Sequence, residues 1–282
     1  MFGAIIGDMV GSIYEFNNHR SKDFPLFSDS CFPTDDTFMT IAIGKAIMEN
    51  DGRTFGLDDA ARYYMQLIGK QFPTCGFGGK FFDWIFAKDP KPYYSYGNGA
   101  AMRVSACGWA ARDLEHAADL ANTVTRISHD HPEGLKGAEA VACAIFLART
   151  DHTRREIRDY ITENYYDLGF TLDEIRHVYA FNESCQETVP QAIAAFLESD
   201  SFEDAIRNAI SIGGDSDTLA AITGSIAEAF YWIPDRTISN AIIQYHKGVM
   251  NTYPRTTWEF AHEVIGWALD FRAKYVLTGN LK

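Results

Sequence analysis

The segment GGDSDTLAAITGSIAEAF (residues 213–230) decides the fold class, because it joins a polar start to a long apolar run at helical spacing. Asp215 and Asp217 lie two positions apart, behind a glycine pair and ahead of small apolar residues. PTDDTFMTIAIGKAI (33–47) repeats this arrangement, with adjacent carboxylates flanked by threonines before another apolar helix. Two acidic clusters that each open a buried helix predict a helical scaffold that carries its site on loops.

Helical spacing of apolar residues continues along most of the remaining chain. The segments that show it are TFMTIAIGKAIMEN (37–50), DLEHAADLANTVTRIS (113–128), LKGAEAVACAIFLART (135–150), TVPQAIAAFLES (188–199), FEDAIRNAIS (202–211) and TWEFAHEVIGWALDFRAKYVL (257–277). Thr34, Thr171 and Ser201 stand where helix N-caps are expected. Strand signals are scarce. The sequence predicts an all-α fold of roughly ten helices, and its 282 residues with 46% apolar content predict one domain over 1–282.

The composition argues against several classes of partner. A net charge of −13 without a basic run argues against nucleic acid, whose phosphates need Lys and Arg. Five scattered cysteines without a CxxC pair fit reduced thiols in the cytosol. MFGAIIGDMVGSIYEF (1–16) has no basic start and carries Asp8, so it is not a signal peptide, and no apolar run approaches membrane-spanning length. We expect a cytoplasmic protein without nucleic-acid or membrane partners.

The acidic clusters admit two interpretations. Aspartate in the first helical turn is favoured by free N–H groups and by the helix dipole, so capping with solvated charge is one of them. Doubled carboxylates bracketed by hydroxyls favour the other, because crowded carboxylates raise one another's pKa unless a cation screens them. Aspartate and threonine oxygens suit Mg²⁺, Mn²⁺ or Ca²⁺. If the clusters converge, about four carboxylates and two hydroxyls could hold a pair of divalent ions.

Two further loops carry unusual residues. In SYGNGAAMR (95–103), glycines before a short apolar helix are consistent with either a phosphate-binding turn with free N–H groups or a simple turn. SHDHPEG (128–134) favours either a cap by Ser128 or Asp130, or the His-Asp metal motif of HD-type phosphohydrolases. That class needs further histidines on nearby helices, and the other polar segments do not supply them at the right spacing.

GDMVGSIYEF (7–16) places Asp8 and Glu15 seven positions apart, hence on one side if the segment stays helical. Glu15 leads into the polar loop NNHRSKDF (17–24), which could move. A carboxylate on a mobile loop is a candidate catalytic base, and a surface glutamate is the alternative.

Taken in order, GDMVGSIYEF, TDDTFM, SYGNGAAMRVS, SHDHPEGLKGAEA and GGDSDTLAAITGSIAEAFYWIP resemble the motifs of the ADP-ribosylglycohydrolase family, which includes the dinitrogenase reductase-activating glycohydrolases. The resemblance spans residues 1 to about 235. It implies a compact, orthogonal all-α bundle with two Mg²⁺ ions, or Mn²⁺, held by loops and helix N-termini. It also implies removal of ADP-ribose from modified targets.

The resemblance assigns roles to individual residues. The implied metal ligands are Thr34, Asp35, Asp36, Asp215, Asp217 and Thr218. Glu15 matches a glutamate near the scissile bond, and either it or a metal-adjacent aspartate (Asp35 or Asp36) would act as the catalytic carboxylate. The implied substrate contacts are Ser95, Tyr96, Gly97, Asn98 and Gly99 in the glycine loop, and His129. Trp232 and Glu187 depart from the family, which often has glycine at both positions.

With all of these residues in place, the resemblance implies a Mg²⁺-dependent hydrolase that releases ADP-ribose from a modified side chain of a protein, or from a small molecule, and we expect it to be monomeric. Arginine is the predicted acceptor, because Asp130, Glu133 and Glu183 near the motifs could present a negative rim to a guanidinium. The alternatives are a serine or small-molecule linkage, or a non-catalytic ADP-ribose-binding member. All four aspartates and Glu15 are present, which argues against lost catalysis.

Overall fold

A computed structural model describes residues 1–278, and that part of the chain folds into fourteen α-helices joined by loops and short 3₁₀ turns. The helices are α1 (Phe2–Gly11), α2 (Asp35–Glu49), α3 (Leu57–Gln71), α4 (Gly79–Phe86), α5 (Ser105–Ala110), α6 (Leu114–Thr125), α7 (Pro132–Arg149), α8 (Arg154–Asn164), α9 (Leu172–Ile175), α10 (Cys185–Leu197), α11 (Phe202–Ser211), α12 (Ser216–Tyr231), α13 (Asp235–Thr252) and α14 (Trp258–Phe271). A π-helical turn, Arg272–Leu277, extends α14.

Helix α12 lies at the centre, because its small and apolar side chains leave it buried from Ser216 to Glu228. Helix α1 packs along it and is itself fully buried. Glycines at every fourth position of α1 allow this contact: a Cβ at Gly7 would lie 2.0 Å from the Ala220 carbonyl oxygen, and one at Gly11 would lie 2.4 Å from the Cα of Asp217. The two backbones therefore touch, which no larger residue would permit.

The remaining helices surround this central pair. Helices α7, α10 and α11 pack on α12, while α2 packs against α1, α3, α5 and α14. The N-terminal ends of α2 and α12 meet, since the Thr218 hydroxyl donates a hydrogen bond to Asp36 Oδ2 at 3.1 Å. The two acidic clusters, 182 residues apart in the chain, thus lie side by side.

The predicted all-α class is confirmed: residues 1–278 contain an isolated bridge between Gly97 and Ser184 but no β-strand. Thr34, Thr171 and Ser201 cap their helices as predicted, each accepting a hydrogen bond from a backbone N–H of the first turn. The expected count of about ten helices was too low. Helices α4, α5 and α9, of eight, six and four residues, are too short to show a helical period in sequence.

Trp232, at a position where the family often has glycine, ends α12 with φ +64°. This region of backbone space favours glycine, and the guanidinium of Arg272 lies 5.3 Å from the Trp232 ring centre. None of the helices in residues 1–278 is long and apolar enough to cross a bilayer. The single domain over 1–282 stays a prediction, and residues 279–282 lie outside the described part.

Candidate active site

A cleft opens between the start of the two acidic helices and the glycine loop. We call one side the acidic wall, formed by Glu15, Asp35, Asp36, Asp215, Asp217 and Thr218, and the other the loop wall, formed by Ser95, Gly97, Asn98, Gly99, Arg103 and His129. The cleft thus contains most of the residues that the sequence singled out. Two of them lie elsewhere: Thr34 is buried behind the acidic wall, and Tyr96 is half exposed with its ring packed on His131.

Carboxylates of the acidic wall, together with Asp8 of α1 behind it, form two triplets that share one residue. Asp8, Asp36 and Asp217 bring one oxygen each within 4.8 Å of one another, and so do Glu15, Asp215 and Asp217. Asp217 therefore lies where the two triplets meet. Asp35 also lines the cleft, although it belongs to neither triplet.

Asp8 belongs to the carboxylate cluster of this site, although it was not predicted as a site residue. It accepts hydrogen bonds from the Thr34 hydroxyl (2.6 Å) and from the backbone N–H groups of Thr34 (2.9 Å) and Thr37 (3.0 Å). It caps α2 from another helix and orients the Thr34 hydroxyl. The segment does not stay helical from Asp8 to Glu15, because α1 ends at Gly11, so helical spacing does not place these two residues on one side. The feature of the sequence that could have identified Asp8 is an aspartate in an otherwise apolar segment with glycine at every fourth position.

Burial dominates the electrostatics of the acidic wall. It raises the pKa of Asp35, Asp36 and Asp217 well above the usual aspartate range, and the neighbouring carboxylates raise these pKa values further. Burial likewise raises the pKa of Asp8 and of Asp215 to about 6, against hydrogen bonds that oppose the shift. None of the ion pairs among residues 1–278 includes a carboxylate of this wall.

The donor set of the acidic wall fits a hard divalent cation. Asp36 Oδ1 is buried and has no hydrogen-bond partner among the described residues. Leaving such an oxygen unpaired costs free energy, and a cation would remove that cost together with the mutual repulsion. All the available ligand atoms are carboxylate or hydroxyl oxygens, which Mg²⁺, Mn²⁺ and Ca²⁺ prefer.

Glu15 lies at the cleft on the segment that follows α1. Partial burial, and then the charges of Asp217, Asp8 and Glu183, raise its pKa to about 8. Asn18 attaches this segment to the second acidic cluster: its side chain accepts from the Gly214 N–H (2.8 Å) and donates to the carbonyl oxygens of Gly214 and Glu15 (both 2.9 Å).

Gly214 adopts φ +80°, and a Cβ there would lie 2.3 Å from the Tyr179 ring. Glycine is therefore required at this turn. Because Asn18 binds both backbone groups of Gly214, the position of Glu15 depends on the conformation of this turn.

The loop wall differs from its sequence interpretation in one respect. The N–H groups of Gly97 and Asn98 are already hydrogen-bonded, to Ser95 Oγ (3.1 Å) and to the Glu183 carbonyl oxygen (2.7 Å). They are therefore not the free donors that the phosphate-binding alternative requires. Neither Gly97 nor Gly99 has a positive φ. Gly99 instead permits close approach, since a Cβ there would lie 3.3 Å from His129 Nε2.

Asn98 joins the two walls. Its side-chain amide donates to Asp215 Oδ2 (2.6 Å) and to Thr188 Oγ1 (3.1 Å), and the residue is buried. The glycine loop is therefore hydrogen-bonded directly to the second acidic cluster.

The segment SHDHPEG does not form a metal site. His131, not Ser128 or Asp130, caps α7 by accepting from the Glu133 N–H, and Asp130 accepts from the Tyr94 N–H. Within residues 1–278, neither His129 nor Asp130 belongs to a group that could hold a metal ion. This geometry argues against the HD-type alternative.

Comparisons with known proteins agree with this arrangement. The family model described as ADP-ribosylglycohydrolase matches residues 1–247. ADP-ribosylhydrolase ARH3 of Mus musculus is 25% identical over 306 residues, covering 81% of this chain and 82% of that protein. ADP-ribosyl-[dinitrogen reductase] glycohydrolase of Rhodospirillum rubrum is 26% identical over 220 residues, covering 72% and 70%.

A solved structure described as an ADP-ribosylglycohydrolase-related protein complex superposes with a TM-score of 0.62 at 19% identity, over 88% of this chain and 95% of that one. At that identity the likeness shows the fold. The family match covers most of the sequence and includes both acidic clusters, the glycine loop and His129. The chain therefore belongs to the ADP-ribosylglycohydrolase family and is an enzyme of that class.

Proposed function

We propose that the protein is a Mg²⁺-dependent ADP-ribosylhydrolase that releases ADP-ribose from modified arginine side chains. The observation that carries this proposal is the convergence of both acidic clusters and Glu15 on one wall of a cleft, opposite the glycine loop and His129. One wall can hold cations and a sugar, while the other can hold the rest of the nucleotide. Mn²⁺ has the same ligand preference and could replace Mg²⁺.

The residues proposed to hold two ions are Thr34, Asp35, Asp36, Asp215, Asp217 and Thr218. When bound, the ions would neutralise the carboxylates and polarise the ribose hydroxyls next to the scissile bond. Asp8 supports this ligand set, because it accepts the hydrogen bond from the Thr34 hydroxyl, and one oxygen lone pair of Thr34 then remains for a cation beside the one that caps α2. The other catalytic candidates, Asp35 and Asp36, would then serve as ligands rather than as bases.

Glu15 is the proposed general acid–base. Its pKa of about 8 without cations means that it is protonated near neutrality, and positive charge beside it would lower that pKa toward the working pH. As a carboxylate it would accept a proton from the attacking water, and as an acid it would protonate the leaving nitrogen. The loop wall, through Ser95, Gly97, Asn98 and His129, would orient the nucleotide while this exchange occurs.

Arginine is supported as the acceptor by the residues around the mouth of the cleft. Glu183 lines the cleft, so one negative charge is available to a guanidinium beside Glu15. Phe16 and Phe181 stack at 6.1 Å and are 86% and 43% exposed; Phe16 follows Glu15 directly, and Phe181 lies two positions before Glu183. Exposed aromatic faces favour a guanidinium over a neutral acceptor. Asp130 and Glu133 do not line the cleft, so the predicted acidic rim reduces to Glu183.

The test is release of ADP-ribose from arginine-, serine- and cysteine-linked ADP-ribosyl peptides, with Mg²⁺, with Mn²⁺ and with EDTA. We expect the arginine-linked peptide to react fastest, its advantage to shrink at high ionic strength, and EDTA to stop turnover. Full activity in EDTA would overturn the metal proposal. Faster turnover of the serine-linked peptide at low salt would overturn the choice of arginine without touching hydrolysis itself.

A further inference from the structure

Arg103 is a buried arginine in the loop wall. Its side chain has no exposed surface, yet it lines the cleft, and its guanidinium lies 5.3 Å from the centre of the Phe81 ring. Nη2 donates to Ser128 Oγ at 2.7 Å and approaches His129 Nδ1 at 3.3 Å. No carboxylate within residues 1–278 pairs with it, and its Nε and Nη1 atoms have no described partner.

These contacts determine which nitrogen of His129 carries the proton. A guanidinium only donates, so the Nδ1 atom that faces it must accept. Ser128 Oγ already accepts from Arg103, which leaves its own hydrogen for Nδ1, 2.9 Å away. Both neighbours of Nδ1 therefore act as donors, and in a neutral ring the proton is then on Nε2.

The Nε2 side of the ring faces the glycine loop. It would lie 3.3 Å from a Cβ built on Gly99 and 3.8 Å from one built on Gly97, and no described residue accepts a hydrogen bond from it. Burial, and then the charge of Arg103, also lower the pKa of His129 well below its usual value, so the ring is neutral at working pH. The result is a fixed N–H donor at the place where the loop wall meets the ligand.

We infer that Arg103 is a positioning residue that holds His129 as the neutral tautomer with its proton on Nε2, so that this N–H donates to an anionic oxygen of the substrate. The inference rests on the proposed function for the identity of that oxygen, which on an ADP-ribosyl group is a diphosphate oxygen. The tautomer itself rests only on the contacts of Arg103, Ser128 and His129.

The tautomer can be read directly by long-range ¹H–¹⁵N NMR of the imidazole rings in the ligand-free protein. The chain has eight histidines, and His129→Gln identifies the signals of His129 by their loss. We expect Nδ1 to appear unprotonated and Nε2 protonated, without titration across neutral pH. A ring protonated on Nδ1 in the wild-type protein would overturn the inference, whatever the protein hydrolyses.

Variants then test the role of Arg103. Arg103→Met removes the donor, so Ser128 can accept from Nδ1 and a measurable fraction of the Nδ1–H tautomer should appear. The KM for the ADP-ribosyl peptide and the Kd for ADP-ribose should both rise about tenfold with kcat nearly unchanged, equivalent to ~1.4 kcal/mol of binding. Arg103→Lys retains a charged donor and should recover part of the wild-type tautomer and affinity. An unchanged tautomer and Kd in Arg103→Met would contradict the inference.

Arg149→Met is the matched control. Arg149 is partly buried, stacks on Phe146 at 4.9 Å and donates to the Gly108 carbonyl oxygen at 2.9 Å, away from the cleft. Arg149→Met should lower the stability of the protein without changing the His129 signals.

If Arg103→Met fails to fold, Ser128→Ala replaces it as the test variant. With Arg103 present, the Nε2–H tautomer of His129 should persist in Ser128→Ala, and its loss would overturn the assignment. If no peptide is hydrolysed, the function fails while the NMR result still decides the tautomer.

Discussion

The acidic wall and the loop wall carry buried groups of opposite charge on the two sides of one cleft. The acidic wall gathers carboxylates without a buried cation, whereas the loop wall buries the Arg103 guanidinium without a paired carboxylate among the described residues. Pairing the two inside the protein would satisfy both, yet within residues 1–278 it is the neutral amide of Asn98 that bridges the walls. A charge left uncompensated in a buried site is costly, so each wall is complementary to a ligand of opposite sign. On the proposed function, the walls differ because they would bind different parts of one substrate complex.

The largest effect should come from breaking the acidic wall at Asp217, which belongs to both carboxylate triplets. Asp217→Asn should lower kcat/KM by about 10³-fold, since both proposed ions lose a charged ligand. Helical circular dichroism should stay unchanged, because the substitution preserves shape. Asp270→Asn, an exposed aspartate on α14, is the control. Residual activity above about a tenth of wild type would show that the triplets are not the catalytic centre.

The next effect concerns Glu15, which lines the cleft as part of the acidic wall. Glu15→Gln should lower kcat by about 10²-fold and leave the Kd for ADP-ribose within about twofold, because only proton transfer is removed. Steady-state kinetics with calorimetric binding measures both, and the exposed Glu263→Gln is the control. Equal losses in kcat and affinity would instead assign Glu15 to holding the ligand.

The pH dependence of stability should distinguish the acidic wall from an ordinary charged surface. Without metal the native state keeps protons on Asp8 and Asp215 up to a pKa of about 6, and on Glu15 up to about 8, whereas the unfolded chain releases them near 3.8 and 4.5. The native state therefore binds more protons in this window, and the free energy of unfolding should fall as pH rises from about 4 to 8, by ~2 kcal/mol or more.

Urea denaturation in EDTA measures this slope. Asp36→Asn should reduce it by removing one repelling carboxylate, and excess Mg²⁺ should reverse it, because a bound cation stabilises the ionised native state. A stability that rises with pH in EDTA would show that the wall is already neutralised by other means.

The smallest effect should come from uncoupling the walls at Asn98. Asn98→Ala removes the hydrogen bonds to Asp215 and Thr188, and should destabilise the protein by ~1–2 kcal/mol. Activity should fall by about tenfold, as the glycine loop and the second cluster lose their common contact. Asn122→Ala, which removes a hydrogen bond to Glu139 away from the cleft, should lower stability alone. Unchanged kinetics in Asn98→Ala would show that the walls act independently.

Local features of the sequence were sufficient to predict much of this protein. The helical period and the caps at Thr34, Thr171 and Ser201 depend on residues within one or two turns, so they can be read from short segments. Helices α5 and α9 have fewer than two turns and contain no helical period, so the sequence indicated them by the glycine loop before α5 and by the cap at Thr171. Five motifs in one order predicted the family, because each motif constrains its own loop.

Other features exist only because distant segments pack together. Asp8 reaches Thr34 because Gly7 and Gly11 let α1 touch the backbone of α12. The N–H groups of Gly97 and Asn98 are already hydrogen-bonded, and the partner of Asn98 is Glu183, more than eighty positions away.

The sequence by itself determined the helices, their caps and the chemical type of the site, because those depend on neighbouring residues. Only the tertiary structure decided which carboxylates form triplets, that burial raises the pKa of Glu15 to about 8, and that Arg103 meets His129. Those properties depend on burial and on distances between charges far apart in the chain, which no local pattern encodes.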